Sequence, residues 1–577
     1  MQKKWRLADK YSEDFEKRFD GFHPLITQLL YNRKFDNPSD TELFFSPDYE
    51  KLHDPFLFND MSKAVDRIWQ AIENKEKILI HGDYDADGVT SSAIIYKAIS
   101  AIDIEADIDV FIPHREKDGY GLNITNAKKF IRDKVKLIIT VDCGITNVDE
   151  IAELTASGVD VIITDHHEPP AVLPDAFATI DQKVKDEKYP FKEISGAGVA
   201  YKLIQGVFAN EKIKKYEDEL YDYGGALGFL KWILDIVAIG TVADVVPLVD
   251  ENRILVKWGL LVLEKTRNIG LKQLLKVIGN GNINSYTIGF QLAPRINAAG
   301  RLEHAKLAFD LLVSEDEDEA EKLAQELHQI NLKRQKITEV MVEEARRQGA
   351  EQDSNIVFAY HKDWSAGVVG LVAGKLSDEL YRPVIVMTDN QGMITGSGRS
   401  IEEFNIIDGL RNFDELFARY GGHSQACGFT LSSPDILDEF KQKLSQIVDE
   451  KLKGMDLSPC LDIESELTFS GLRIETVEKI NDFEPFGEGN KKPLFLLKNI
   501  FITALDHIGE NKNHLRLMVK QTDCPIIFKL LSFFGVEKWP DLNIGHTIDA
   551  VVEVTINEWN GNRDIEFKIV DLKGVDK

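Results

Sequence analysis

An α/β protein built on a doubly wound parallel sheet is the fold predicted for this 577-residue chain. Two observations carry that expectation. Short apolar runs recur at helix-length intervals: Ile78–Ile80, Asp109 to Pro113, KLIITVDCG (136–144) and VDVIITDHH (159–167). Such runs are what strands covered on both faces look like. Three of them also end in acid or histidine: Asp85 and Asp87, then Asp142, then Asp165-His166-His167. Ligands of open parallel sheets gather beyond the carboxyl ends of the strands, so these residues are expected along one edge.

The first element is Lys77 to Ile94, KILIHGDYDADGVTSSAI, a strand, a turn and a helix predicted over 89–100. The turn carries His81, Asp83, Asp85 and Asp87. Burying that many unpaired carboxylates is very costly, and a bound cation is the ordinary remedy. DYDADG also opens like a calcium-binding EF-hand loop, but that loop needs a glutamate at its twelfth position, where this chain has Ile94. An aspartyl phosphotransferase would use one Asp as nucleophile and would have no need of the downstream histidine pair. Any single strand-end Asp is well explained as a helix N-cap. Three such strand ends on one sheet edge are not. Further on, LDIVAIGTVADVVPL (234–248) reads as an apolar helix with Asp244 near its end, and an Asp so placed needs a partner.

Composition narrows the class. Hydrophobic content of 43% and charged content of 29% fit a globular protein with ample core for several domains. Four cysteines (Cys143, Cys427, Cys460, Cys524) without a CxxC pair argue against a disulfide framework or a cysteine zinc site. No run is read as long enough to span a membrane, and a reducing, cytoplasmic setting is expected. The net charge of −27 opposes indiscriminate coating of nucleic acid, but not a local basic groove.

Along the chain, residues 1–60 are expected to form an N-terminal helical cap, and 61–314 the sheet domain. Residues 315–349 read as a long helix with heptad-like apolar spacing interrupted by Arg334. A connector between domains is the expectation, because a second αβ pattern follows over 350–455. There GSGRS brings close backbone approach, a hydroxyl and a fixed cation together, a combination suited to phosphate; a simple hairpin is the other explanation of its glycines. RYGGHSQACGFTL (419–431) reads as a turn. Residues 456–577 carry short strands and the Asn560-Gly561 hairpin signal, consistent with an OB-like barrel. Such a barrel either binds single strands or serves as a structural cap.

HGDYDADG, VDCG, DHH and GTVADVVPL, in that order, resemble the motifs of the DHH phosphoesterase superfamily. FIPHREKDGYGLN (111–123), APRINAAGRL (293–302) and NLKRQ (331–335) narrow the resemblance to RecJ-type single-strand-specific 5′→3′ exonucleases. The resemblance runs from about residue 75 to the C-terminus. Asp181-Gln182 departs from the family's Asn-Pro and reads as a loop variation.

The resemblance implies a DHH domain, a DHHA1-type substrate-binding domain and the OB-like barrel. It implies two divalent ions, Mn²⁺ or Mg²⁺. His81 and Asp85 would hold one, Asp87, His166 and Asp244 the other, and Asp142 would bridge them. Asp85, Asp142, His166 and His167 form the expected catalytic set. Arg115, Ser397 and Arg399 would hold a 5′-terminal phosphate, with His423 near the scissile group. Tyr120, Arg295, Asn297 and Arg301 complete the expected substrate contacts. The implied reaction is hydrolysis of single-stranded DNA from its 5′ end to nucleoside 5′-monophosphates, in repair and recombination. Implied partners are a single-strand-binding protein and a helicase, around a monomeric enzyme with no membrane. Alternatives are a DHH phosphodiesterase acting on short oligonucleotides, cyclic dinucleotides or pyrophosphate, a superfamily scaffold without activity, and a plain single-strand-binding module.

Overall fold

The computed structural model describes residues 3–279, 281–522, 524–559 and 561–574. Five parallel strands form the first sheet, in the order Ile108–Phe111, Ile78–His81, Leu137–Val141, Asp160–Thr164 and Ala178–Ile180. Counted along the chain this is 2-1-3-4-5, and winding reverses between the first and third strands. Those two strands are buried at every residue, which is why their sequence shows apolar runs rather than alternation. Phe130, Ile151 and Leu154 help cover one face. Helices Ala86–Ile102 and Gly196–Ala209 cover the other, with Leu234–Ala243 packed on both.

The helix after the first strand starts at Ala86 rather than at 89. Asp85 Oδ1 accepts hydrogen bonds from the backbone N–H groups of Asp87 and Gly88, at 2.9 and 3.1 Å, and caps the helix early. A second expectation is corrected. Gly225–Ala243 is 19 residues long with mean hydropathy 1.8, enough by length and composition for a membrane span. It consists of two helices, Gly225–Trp232 and Leu234–Ala243, and 61% of its most apolar window is buried inside the protein. The second helix packs between Ala86–Ile102 and Asp250–Leu263, as a core helix does.

The long helix runs Glu317–Ala350, 34 residues or about 50 Å. Its acidic first turn is capped by Asp316, whose carboxylate accepts from Glu319 N at 2.7 Å, so that part of the acidic run complements the helix dipole. The first half packs on Ile269–Ile278 and Ala293–Leu302. In the second half, Met341, Val342 and Ala345 join Val357, Ala359, Trp364 and Val372 in one core. That core supports a mixed sheet ordered Phe417–His423, Ala426–Leu431, Met393–Arg399, Val384–Asn390, Val357–Tyr360. Residues 419–431, expected as a turn, are mostly a two-stranded hairpin with Gly421 opposite Gly428. Gly422 sits at φ 143°, and a Cβ there would lie 2.2 Å from the Ala426 carbonyl oxygen, so only glycine lets the strands approach.

Residues 52–457 form one compact unit; residues 1–51 and 458–577 form another. In the second, strands Phe495–Ile508, His514–Gln521, Cys524–Ser532, Asn562–Gly574 and Thr547–Trp559 pair in that order, and the last pairs back to the first to close a five-stranded barrel. The hairpin joining the last two strands is paired as far as Trp559 opposite Asn562; Asn560 itself lies outside the described residues. The N-terminal helices carry Phe15, Phe19, Leu29 and Leu30 into the same core as Phe495, Ile500 and Phe567. Ahead of them, Lys4–Leu7 pairs in parallel with Cys460–Ile463, a strand that KWRL gives no local reason to expect.

Candidate metal centre and strand cleft

The winding reversal places the first acidic turn beside the end of the third strand, and the carboxylates meet there. Three groups of side chains bring ligand atoms within 4.8 Å of one another: Asp83, Asp85 and Asp142; Asp87, His166 and Asp244; and Asp142, His166 and His167. His166 Nε2 stands 3.1 Å from Asp142 Oδ1 and 3.9 Å from Asp87 Oδ2, and its Nδ1 stands 3.6 Å from Asp244 Oδ2. The Oδ1 atoms of Asp83 and Asp142, Oδ2 of Asp244 and Nε2 of His166 are buried without a hydrogen-bond partner among the described residues. Oxygen-rich sites with a histidine suit hard and borderline divalent ions, and orphaned atoms aimed at one another fit such ions.

Local backbone holds the cluster open. The N–H groups of Gly196 and Ala197, at the start of Gly196–Ala209, donate to Asp87 Oδ2 and Oδ1 at 2.7 and 2.8 Å. They fix the carboxylate at a helix N-terminus, where negative charge is favoured. A Cβ at Gly196 would stand 2.7 Å from Asp142 Oδ1, so the glycine leaves the space that this carboxylate fills. Asp142 itself has φ 60°, and Val245, directly after Asp244, has φ 62°. For a β-branched valine that conformation is strained, and strain of this kind gathers at functional sites.

Electrostatics point the same way. Burial, then the neighbouring Asp85, pushes Asp83 up to about 8 and Asp87 up to about 7. Burial and repulsion from Asp87 and Asp85 also hold Asp142 and Asp244 well above the usual carboxylate range. Burial drives His166 down to about 3, leaving it neutral, as a ligand must be. Asp165 behaves differently. Burial opposes its charge, but hydrogen bonding and attraction from His167 prevail and lower its pKa. It accepts from the backbone of Ile145, His166 and His167, and its Oδ1 lies 2.7 Å from His167 Nδ1. The Tyr120 hydroxyl donates to the Asp142 carbonyl oxygen at 3.0 Å and lies 3.1 Å from His167 Nδ1.

A cationic wall lies beside the acids. Burial, then Arg115 and Arg334, lowers Arg301 to about 9, and Arg399 and Asp85 act on it too. Arg301 donates to the Gly367 carbonyl oxygen at 3.1 Å. Asn297 Oδ1, on the same helix, accepts from Ala86 N in the acidic turn at 2.9 Å. The Arg115 guanidinium lies 4.2 Å over the Tyr84 ring, and its Nε is buried without a partner among the described residues. Arg399 reaches Ser397 Oγ at 3.4 Å, and Ser397 donates to the Cys427 carbonyl oxygen at 2.9 Å. Arg295 donates to the Gln291 carbonyl oxygen at 2.7 Å and meets His328 Nδ1 at 3.2 Å. His423, at the end of its strand, is close enough to His167 to have its pKa lowered by it, after burial.

Asp85, Asp87, Asp142, His166, His167 and Asp244 therefore come within ligand distance in these groups, and His81 stands apart from them. His81 belongs to none of the three groups. It is buried, its Nδ1 is 3.6 Å from Cys143 Sγ, and its ring packs against Phe111 and Phe130. Asp83 is grouped with Asp85 and Asp142, while His81 Nε2, like the atoms above, is buried without a hydrogen-bond partner among the described residues. The only sequence signal for Asp83 was membership of DYDADG. The anchoring N–H groups of Gly196 and Ala197 had no sequence signal, since backbone donors are not readable from residue type. Arg334 had one, as the charged interruption of the helix stripe.

Family models match three stretches of the chain: DHH family, N-terminal domain, over 77–241; DHHA1 domain over 353–450; and RecJ OB domain over 463–571. The single-stranded-DNA-specific exonuclease RecJ of Bacillus subtilis (strain 168) is 39% identical over 98% of this chain and 70% of its own length. That of Haemophilus influenzae is 31% identical over 96% of this chain and 97% of its own. The crystal structure of RecJ in complex with Mn²⁺ from Thermus thermophilus superposes with a TM-score of 0.83 at 28% identity, covering 100% of this chain and 80% of that one. A Mg²⁺ complex from the same source gives 0.76 at 27% identity, covering 100% and 79%. The likeness thus spans the acidic centre, the cationic wall and the closed barrel together, and the chain belongs to the RecJ family of single-stranded-DNA-specific exonucleases.

Proposed function

We propose that this protein is a divalent-metal-dependent exonuclease that hydrolyses single-stranded DNA from its 5′ end, releasing nucleoside 5′-monophosphates. The observation that carries the reading is the cluster of orphaned, mutually repelling carboxylates around His166, with Arg115 and Arg301 beside it. Asp83, Asp85 and Asp142 would hold one ion, and Asp87, Asp142, His166 and Asp244 the other. His81 would support the turn from behind. Mn²⁺ and Mg²⁺ are the ions named with the solved relatives, and the ligand types here suit both. When bound, such a pair supplies Lewis acidity that activates water and offsets charge on the phosphate.

The protein's own residues do the rest. Asp165 and Tyr120 fix the His167 ring through Nδ1, leaving Nε2 to meet the substrate. Arg115, Arg301 and Arg399 offer charge to phosphates, with Ser397 beside them and His423 facing the His167 side. Arg399 and Ser397 are the end-phosphate contacts in this reading. Association with a single-strand-binding protein and a helicase, a monomeric state, a cytoplasmic setting and a part in repair and recombination belong to the same proposal, supported by the resemblance to the family alone.

The test is digestion of 5′-labelled single- and double-stranded DNA with Mn²⁺ or Mg²⁺. Mononucleotide products appearing first from the labelled end of single strands alone are expected; internal cuts, or equal attack on duplex, would overturn the reading. Arg399→Ala should slow 5′-phosphorylated strands at least about tenfold, the loss expected for a charge-assisted contact. An equal effect on 5′-hydroxyl strands would remove Arg399 from end binding.

A further inference from the structure

Outside the metal centre, the surface carries an aromatic feature that the reaction scheme leaves unused. Tyr286 and Phe290 are stacked, with ring centroids 4.6 Å apart and planes at 23°. Both are largely exposed, at 60% and 69%. Two large rings stacked on each other in solvent hide little apolar area and contribute little to the fold. The segment beneath them is irregular: Ile288–Leu292 is one turn of π-helix, running straight into Ala293–Leu302. Such turns are frequent at functional sites.

The turn packs against the helix that leads to the acidic centre. A Cβ at Gly289 would lie 3.7 Å from Val242, two residues before Asp244, so the inner side of this turn rests on the helix that carries that acid. Arg295 binds the carbonyl of Gln291 inside the same turn. The helix that follows, Ala293–Leu302, carries Arg295, Asn297 and Arg301, and Asn297 Oδ1 accepts from Ala86 N in the acidic turn at 2.9 Å. Arg295 and Arg301 thus stand on one helix that runs on from the aromatic pair and is tied to the acidic turn. Alternating aromatic faces and cations is what a single strand requires, with bases stacked and phosphates paired.

We propose that Tyr286 and Phe290 form a base-stacking platform that holds nucleotides of the single strand as it approaches the metal centre. The proposal rests on the nuclease reading above and adds to it where the bases are gripped. Every base has a π-face, so the platform holds the strand without reading its sequence. It also favours unpaired strands, because the faces of bases in a duplex are already covered.

The experiment compares the full chain with Tyr286→Ala/Phe290→Ala, and with Tyr286→Phe and Phe290→Trp as aromatic-preserving variants. Binding to a 20-nucleotide strand is followed by fluorescence anisotropy in EDTA, and hydrolysis separately with Mn²⁺. The double alanine variant should bind at least about tenfold more weakly and show a matching rise in KM, with kcat changed less than about twofold. The aromatic variants should bind as wild type does. An abasic strand of the same length, which keeps the phosphates and lacks the bases, should bind the double variant and wild type alike. Equal affinity of wild type and double variant for the normal strand overturns the platform. So does an equal loss on the abasic strand, or a change in oligomeric state on mutation, which would mark the pair as a contact between copies. If wild type binds strands without cutting them, the nuclease reading fails and the anisotropy data still decide the platform. If it does neither, both readings fall.

Discussion

Two buried clusters of charge lie in the same compact unit, and they are built on opposite terms. Around Lys202 every charge has an answer. Lys202 and Glu251 are both fully buried and pair directly, Lys202 also donates to the His53 carbonyl oxygen at 2.8 Å, and Tyr189 donates its hydroxyl to Glu251. Burial pulls the lysine pKa down and raises that of the tyrosine, while the Glu251 charge works to keep the lysine ionised. Around His166 the acids outnumber the cations, and four ligand atoms have no partner among the described residues. A protein that can satisfy one buried cluster so fully leaves the other unsatisfied because something else completes it. Unpaired buried charge is too costly to persist for structural reasons alone.

Asp142→Ala separates the two clusters with the largest effect. It should lower hydrolysis of single strands by about 10³-fold or more, the equivalent of several kcal/mol of lost transition-state stabilisation. Its melting temperature without metal should hold or rise, because a repelling carboxylate has gone. Wild-type turnover at saturating metal would dissolve the idea of a shared ligand.

Glu251→Gln should do the reverse. Leaving Lys202 buried without its anion is expected to cost about 3–5 kcal/mol by chemical denaturation, with specific activity per folded molecule preserved. A neutral result would mean that the network is not compensated as its geometry indicates.

Metal itself sharpens the contrast. Millimolar Mn²⁺ should raise the melting temperature of wild type, by about 2.7 kcal/mol in stability at a hundredfold excess over Kd. Glu251→Gln should show the same increment and Asp142→Ala most of its loss. Equal increments in all three would place the ion elsewhere.

The smallest expected effect concerns Asp235, on the helix that also leads to Asp244. Burial holds it up to about 6, although the Thr266 hydroxyl and the Ile236 N–H donate to it. Because its folded pKa lies above the unfolded value, the unfolded chain releases this proton first, and the group's contribution to stability falls as pH rises toward and through about 6. Asp235→Asn cannot titrate. Its stability relative to wild type should therefore improve by about 1.4 kcal/mol between pH 5 and pH 7.5. A pH-independent difference would mean that Asp235 ionises as freely folded as unfolded.

The two compact units differ in how far they could be read in advance. In residues 52–457 the parallel strands announced themselves, because strands covered on both faces must be apolar throughout, and the acids at their ends followed the strand signal. Asp85, Asp87, Asp142 and His166 were legible for that reason, and Asp244 as an acid at the end of an apolar helix. The unit made of residues 1–51 and 458–577 was not legible as a unit. Nothing in KWRL or in Phe15 and Phe19 names a partner more than four hundred residues away, since pairing between distant strands depends on spatial proximity rather than local pattern.

The sequence by itself determined the sheet class, the order of the acidic strand ends and the family to which they belong, because these are carried by local hydrophobic patterning and by residue type. Tertiary structure alone decided which acids stand within ligand distance of one another. Asp83 and His81 are two residues apart in one turn, and only the backbone path after the strand sends one toward Asp142 and the other back among Phe111 and Phe130. It also decided that the N–H groups of Gly196 and Ala197 anchor Asp87, and that Arg115, Arg301, Arg334 and Arg399 stand together despite their separation along the chain. Those outcomes depend on distances set by packing, which no local pattern encodes.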